Sequence, residues 1–358
     1  MDPILEVLNI INEKGYEAYL IGGYPRDLYM NKQTIDYDIT TNATPKEIKE
    51  IFKENVKSDN YGCVDVYYKN KKFEITTYRR DIKYSVNRKP VIEYIDDLAE
   101  DLARRDFTMN TICVDALGNF LDLLDGRKDI DQKIIRVVGN TNKKLQEDPL
   151  RILRAIRFAT TLNFTLDKKL EEGIIKYGYK VAELSFNRKR QELDKIFLSP
   201  NMQYGLKLIR DLNLESYLEI NVSNLKQTTY VIGIWAQIDN DNYPFTKTEK
   251  DTIKKVQMLL KKDILNNYNL YKNGLYISSI AGEIKDIKKD LIIQKYEDLC
   301  IKSKDEIAIT PKEICHILNC EPSSLLKTII TDLEIKLLNG KIINDKNTIV
   351  KYLKETYL

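Results

Sequence analysis

The hydrophobic pattern changes period once along this chain, at "RVVGN" (residues 136–140), and that change constrains the fold more than any other feature. Before it, short β-branched and aromatic runs read as strands: Ala18 to Ile21, Thr34 to Thr40, Val64 to Tyr68 and Phe73 to Tyr78, the last two joined by "KNKK" as a hairpin. Helices intervene. Residues 1 to 15 form an amphipathic helix closed by Gly15, and "TPKEIKEIFKE" carries Thr44 as N-cap with Pro45 at the first helical position. From Lys144 onward, apolar residues recur at helical spacing almost to the end, broken by "LSPN" and "QIDNDNYP". Near the C-terminus "TPKEICHILN" and "EPSSLLKTIITDLEIKLLNGKIIND" predict two more helices, with Asn339-Gly340 as a turn. The fold class predicted is therefore an α/β N-terminal head, with a mixed sheet and helices, followed by all-α segments. At 358 residues the chain is too long for one ordinary core.

Composition narrows the chemistry. No run reaches the roughly 18 apolar residues needed to span a bilayer, and "MDPILEVLNIINEKG" is acidic and amphipathic, unlike a signal peptide. A cytoplasmic location is expected, with no membrane and no protein partner implied. The five cysteines are scattered and odd in number, and the single histidine, His316, lies far from the N-terminal half. A zinc site of Cys/His type and a Ser-His or Cys-His nucleophile are thereby disfavoured. Chemistry in the head must rest on carboxylates, metal and arginine. Net charge is only +3, but arginines concentrate between residues 79 and 210, whereas the C-terminal third is lysine-rich, as in "TKTEKDTIKKVQMLLKKD". That lysine run is either a solvated helix face or a phosphate-binding one.

"QTIDYDITTN" sets Asp36 and Asp38 two positions apart in a strand-like run. Alternation puts both carboxylates on one face and Ile35, Tyr37 and Ile39 on the other. Paired oxygen ligands suit a hard cation such as Mg2+; a solvated edge strand is the alternative. Upstream, "AYLIGGYPRD" leads from a strand into Gly22-Gly23 and then Arg26, a turn at which backbone N–H groups and a guanidinium can approach phosphate.

Gly-Gly, Arg26 and the D-x-D together resemble the polymerase-β type nucleotidyltransferases, and within them the bacterial-type (class II) CCA-adding enzymes and poly(A) polymerases. "EITTYRRDIKYSVNRKP", "DLARRDFTMNTICVD", "LDLLDGRKDIDQKIIRVVG", "EDPLRILRAIRFAT" and "ELSFNRKRQELDKIF" extend the resemblance, in the family's order, from residue 18 to about 200. It implies a nucleotidyltransferase head (1–137), a helical neck (138–200), a body (201–270) and a tail (271–358). It implies template-independent addition of CCA to the tRNA 3′ end from CTP and ATP, with Mg2+ on Asp36 and Asp38 and with Glu74 as a third acid. It also assigns Gly23, Arg26 and Arg105 to the incoming nucleotide's phosphates; Arg104 could share that role. Asp106 and Asn110 are taken as scaffold.

In "EDPLRILRAIRF", Asp148, Arg151, Arg154 and Arg157 recur every three residues and are predicted to share one helix face. Cytosine and adenine each present an exocyclic amine beside an unprotonated ring nitrogen. A carboxylate accepts from the first and a guanidinium donates to the second, so Asp148 with Arg151 can select C and A. Arg154 and Arg157 would hold triphosphate or the register of the helix. The lysine-rich helices are candidates for clamping tRNA. Two departures stand out: Asn187 where the family's neck motif usually has an acid, and "YGCVDV" where a His-Gly-Thr run is common. A poly(A) polymerase, or an enzyme adding only CC or only A, is the alternative; an inactive RNA-binding relative would be expected to lose Asp36 or Asp38.

Overall fold

A computed structural model describes residues 2–60, 62–84, 90–239 and 241–358. The chain divides into two compact units, Met1–Glu219 and Ile220–Leu358, a coarser division than the four segments expected.

The first unit opens with α1 (Pro3–Asn12), started by the Asp2 side chain as cap and followed by Gly15 at φ +87°. Next come β1 (Ala18–Ile21), α2 (Gly23–Tyr29), β2 (Tyr37–Thr41), α3 (Pro45–Phe52), β3 (Val56–Asn60), β4 (Cys63–Tyr68) and β5 (Lys71–Thr77). β6 (Arg79–Tyr84) and β7 (Pro90–Tyr94) form a separate antiparallel pair. The "DIKYSVNRKP" part of the resembling stretch runs from within β6 to the start of β7, with residues 85–89 outside those described. α4 (Leu98–Ala103), β8 (Cys113–Val114), β9 (Phe120–Leu121) and α5 (Gly126–Asp131) follow.

The main sheet runs β3-β4-β5-β2-β1-β8-β9, and its β2–β5 contact is parallel while the others are antiparallel, the mixed sheet expected. One face carries Leu20, Ile39, Val64, Val66, Phe73 and Ile75 into a core with Val7, Leu8 and Ile11 of α1 and Ile48 and Phe52 of α3. Truncating a side chain such as the fully buried Phe73 to Ala would cost about 3–5 kcal/mol. Period-two alternation leaves Asp38, Glu74 and Asp65 for the opposite face. The hairpin turn is Lys69-Asn70, both residues at positive φ as a two-residue turn requires.

After α5 come β10 (Ile134–Ile135), still within the expected head, and then α6 (Thr141–Glu147), α7 (Leu150–Leu162), β11 (Thr165–Leu166), α8 (Lys168–Tyr177), α9 (Phe186–Phe197), α10 (Met202–Asp211) and α11 (Glu215–Leu218). Helices dominate as predicted, but β10 and β11 add a short parallel ladder too brief for periodicity to reveal. Ser185 caps α9 by accepting from Arg188 N, and Asn187 is exposed, so the departure in the neck motif leaves that helix start intact.

The second unit contains α12 (Val231–Trp235), α13 (Lys247–Leu259), α14 (Asn267–Ile284), α15 (Lys289–Glu297), α16 (Pro311–Ile317), α17 (Ser324–Leu338) and α18 (Lys346–Tyr357). The lysine run forms α13, begun by a Thr246–Glu249 capping box; Val256 and Leu259 are buried while Lys250, Lys254, Lys261 and Lys262 are exposed. α17 ends at Asn339 with Gly340 at φ +67°, the predicted turn. No helix among the described residues is long and apolar enough to cross a membrane.

Candidate active site

The acidic pair sits where β2 begins. The β2–β5 ladder ends at Tyr37↔Phe73, so the chain upstream has no partner strand. The expected strand start at Thr34 is therefore corrected to Tyr37: Asp36 lies in the exposed approach, Ile35 is solvent-exposed, and only Asp38 is held in the sheet. Register places Asp38 beside Glu74, and Glu74 beside Asp65. Burial, aided by the charges of Glu74 and Asp36 and opposed by Arg105, pushes the Asp38 carboxyl up to about 6. This is an oxygen-only donor pair with surplus negative charge, the condition a hard divalent cation relieves. Glu74 itself is engaged by the Lys72 ammonium at 2.7 Å, which also lies 3.3 Å from Asp65. Cys63, Asp65 and Glu74 have ligand atoms within 4.8 Å of one another, but this lysine already ion-pairs with both carboxylates and offsets part of their charge.

The turn from β1 into α2 depends on Gly22, which sequence reasoning passed over in favour of Gly23. Gly22 adopts φ +80°, and a Cβ there would stand 3.1 Å from Asp38 Oδ2. Only glycine combines that conformation with that approach. Its signal was the doubled glycine, which named the turn without saying which residue carries the positive φ.

Arginines line the same cavity as the acidic pair, each held by a partner. Arg26 Nη1 donates to Asn110 Oδ1 at 2.8 Å and its Nε to Asp27 Oδ1 at 2.9 Å. Asn110 in turn donates to Asp106 Oδ1 at 3.2 Å, and Asp106 Oδ2 accepts from both Nε and Nη2 of Arg154. Asp106 and Asn110, expected as scaffold, thus link Arg26 to Arg154 and themselves line the cavity. Burial works to raise the Asp106 carboxyl, yet Arg154 and these hydrogen bonds hold it below the ordinary carboxylate range. Arg104 and Arg105 both bind Asp101, a fully buried acid on α4. Its signal was present in "EDLARR", an acid three and four residues ahead of two arginines.

The segment expected to select the base differs from expectation in one respect. α7 starts only at Leu150, so Asp148 precedes the helix, at φ −141° and ψ 96°, and does not share its face with the three arginines. Pro149 is the reason, because a residue before proline is pushed from helical to extended backbone. Asp148 Oδ1 nonetheless caps the helix start by accepting from Leu150 N at 3.1 Å. Arg151 is 6% exposed, with Nη1 donating to Lys144 O at 2.9 Å and Nη2 to Arg104 O at 3.2 Å. Arg157 lies 3.8 Å above the Phe158 ring and 2.8 Å from Glu192 of α9, and burial pushes its guanidinium down to about 10 against the pull of Glu192.

One cavity of about 530 Å³ collects these groups. Gly23, Arg26, Asp36, Asp38, Arg105, Asp148, Arg151, Arg154 and Arg157 all line it, together with Gly22, Asp27, Thr34, Arg104, Asp106, Asn110 and Phe158. Glu74 is not among the lining residues and reaches the site only as the neighbour of Asp38. A carboxylate pair, a further acid and a dense guanidinium array lining one cavity can accept a polyphosphate with a base attached.

Residues 18–136 match the Poly A polymerase head domain, 163–221 the RNA and SrmB-binding site of polymerase A, and 242–353 the tRNA nucleotidyltransferase domain 2. Over 98% of its length the chain is 31% identical to the CCA-adding enzyme of Lactobacillus johnsonii, covering 96% of that protein. It is 29% identical to the CCA-adding enzyme of Bacillus cereus, over 98% of each chain. The crystal structure of the Bacillus stearothermophilus CCA-adding enzyme in complex with CTP aligns with a TM-score of 0.90 at 25% identity, covering 99% of this chain and 98% of that one. Identity at this level, sustained along nearly the whole of both sequences and carried on a matching fold, means that this chain belongs to the family of CCA-adding enzymes.

Proposed function

We propose that this protein adds C, C and A to the 3′ end of tRNA without a nucleic-acid template, using CTP and ATP and releasing pyrophosphate. The observation that carries the reading is that Asp36 and Asp38 line the same cavity as Asp148 and Arg151. Chemistry and base selection thus meet in one nucleotide-sized space.

Arg26, braced by Asn110 and Asp27, and Arg105, braced by Asp101, grip the triphosphate. Asp148 accepts from the exocyclic amine of cytosine or adenine, and Arg151 donates to the adjacent ring nitrogen. The carbonyls of Lys144 and Arg104 fix the Arg151 guanidinium while leaving it further N–H groups for the base. Guanine and uracil present a carbonyl beside an N–H, which meets donor with donor, a mismatch costing about 1–3 kcal/mol for each buried group left unpaired. Arg154 and Arg157, tied to Asp106 and Glu192, hold the register of α7. Mg2+, held by Asp36 and Asp38, would polarise the attacking 3′-hydroxyl and neutralise charge on the leaving pyrophosphate. Glu74 keeps Asp38 in a field of negative charge that favours such a cation. The exposed lysines of α13 are the candidate clamp for tRNA phosphates. A cytoplasmic site of action belongs to the same reading, and the five free cysteines suit a reducing compartment.

The test is incubation of purified protein with tRNA lacking its 3′ end, Mg2+, and each nucleotide singly or together. Ordered addition of C, C, then A is expected. Long A tails would replace the reading with poly(A) synthesis, and arrest after CC or failure to add C would replace it with a partial enzyme.

A further inference from the structure

Asp101 does not itself line the cavity, yet it accepts five hydrogen bonds, three of them from Arg104 and Arg105, which do. It is fully buried on α4. Its Oδ1 accepts from Arg104 Nε at 2.9 Å, Arg104 Nη2 at 2.7 Å and the backbone N–H of Arg79 at 3.2 Å. Its Oδ2 accepts from Arg105 Nη2 at 3.0 Å and from the Thr40 hydroxyl at 3.1 Å. Thr40 belongs to β2, the strand that carries Asp38, so one acid ties that strand to two arginines lining the cavity. Two adjacent guanidinium groups facing one cavity repel each other, and without a buried anion they would separate.

The two arginines are not equivalent. Arg104 is held through two of its nitrogens, and its carbonyl also anchors Arg151 at 3.2 Å. Arg105 is held through Nη2 alone, and its buried Nε has no hydrogen-bond partner among the described residues. Arg105 therefore keeps donors for a ligand where Arg104 is committed to structure.

We propose that Asp101 is a positioning residue for nucleotide binding, one that aims Arg105 at the phosphates of CTP and ATP and holds Arg104 as the brace beneath Arg151. The proposal rests on the reading of Arg105 as a phosphate contact. It predicts that Asp101 acts on nucleotide affinity through Arg105 and leaves tRNA binding alone.

The experiment measures CTP affinity of the full-length protein with Mg2+ by calorimetry, and KM for CTP, ATP and tRNA by primer extension. Asp101→Asn, Arg105→Ala and the double variant are compared, with melting curves to establish that each is folded. Asp101→Asn is expected to weaken CTP and raise both nucleotide KM values about 10-fold or more, with tRNA KM unchanged. In the Arg105→Ala background it should add less than about twofold, because the contact it positions is already gone. Should Asp101→Asn not fold, Thr40→Val removes the hydroxyl on Oδ2 while keeping the charge, and CTP affinity should fall several-fold. Unchanged CTP affinity in the folded variants, or full multiplication of the two losses in the double variant, overturns the proposal. Calorimetry reads it even if the wild-type protein extends no tRNA, a result that would count against the functional reading instead.

Discussion

Replacing Asp38 by Asn should make the protein more stable while stopping nucleotide addition. In the fold, burial and the charges of Glu74 and Asp36 lift this carboxyl from 3.8 to about 6. That is about two pKa units, each worth about 1.4 kcal/mol, so ionised Asp38 costs the native state about 3 kcal/mol at neutral pH. The direction follows from the raised folded value. Stability associated with this group is fully present below the unfolded pKa of about 3.9 and is lost as pH rises through about 6. Asn keeps the shape without the charge but forgoes the attraction of Arg105, so a gain of about 1–3 kcal/mol is expected. Urea denaturation of both proteins in EDTA, from pH 4 to pH 8, is the assay. The Asn variant should be the more stable above about pH 6, and the difference should shrink toward pH 4. Added Mg2+ should then stabilise the wild type preferentially, since a cation held by the acidic pair binds only the folded state. A variant less stable than wild type at pH 7.5, or a difference indifferent to pH, would refute the electrostatic reasoning.

Gly22→Ala should cost about 1–2 kcal/mol by placing a Cβ at φ +80° against Asp38, and kcat should drop at least about tenfold, measured by melting and single-turnover extension. Glu192→Ala strands Arg157 over Phe158 without its partner and should destabilise the fold by about 3–5 kcal/mol in urea titrations. Asp148→Ala removes the acceptor for the exocyclic amine, so the ratio of kcat/KM for CTP over UTP should fall about 10- to 100-fold. Asp106 is held below its ordinary range despite burial; its contribution exists above an unfolded pKa of about 3.9 and is lost as pH falls through the folded value, so Asp106→Asn should flatten the acid limb of the stability profile.

Much of the site was legible because its residue types follow from chemistry at short range. Two carboxylates on one strand-like run, a doubled glycine before an arginine, and arginines at three-residue spacing each carry their meaning within a dozen residues of sequence. In the structure Asp38 lies on β2, Gly23 and Arg26 on α2, and Arg151, Arg154 and Arg157 on α7, while Asp36 and Asp148 fall just outside the elements expected to carry them. β2 starts at Tyr37 because its neighbours end there, and Asp148 leaves the α7 face because Pro149 follows it. Glu74 shows the limit of local reading: alternation places it on the polar face, but its tie to Lys72 depends on how β5 folds beside β4. Asp101, Asp106 and Asn110 were harder still, since an acid among arginines reads alike whether it supports a wall or faces water.

The order of residues alone determined that an α/β head precedes a helical remainder, and it pointed to carboxylates and arginine for the chemistry and to an acid–arginine pair whose donor and acceptor pattern suits C and A. Only the tertiary structure decided that these groups share one cavity, which guanidinium groups are committed to buried acids, and how far Asp38 departs from an ordinary carboxyl. The reason is physical. Periodicity and residue chemistry act over a turn or a strand, whereas pKa shifts and buried ion pairs depend on distances between segments separated by up to a hundred residues or so, which exist only once burial has excluded water between them.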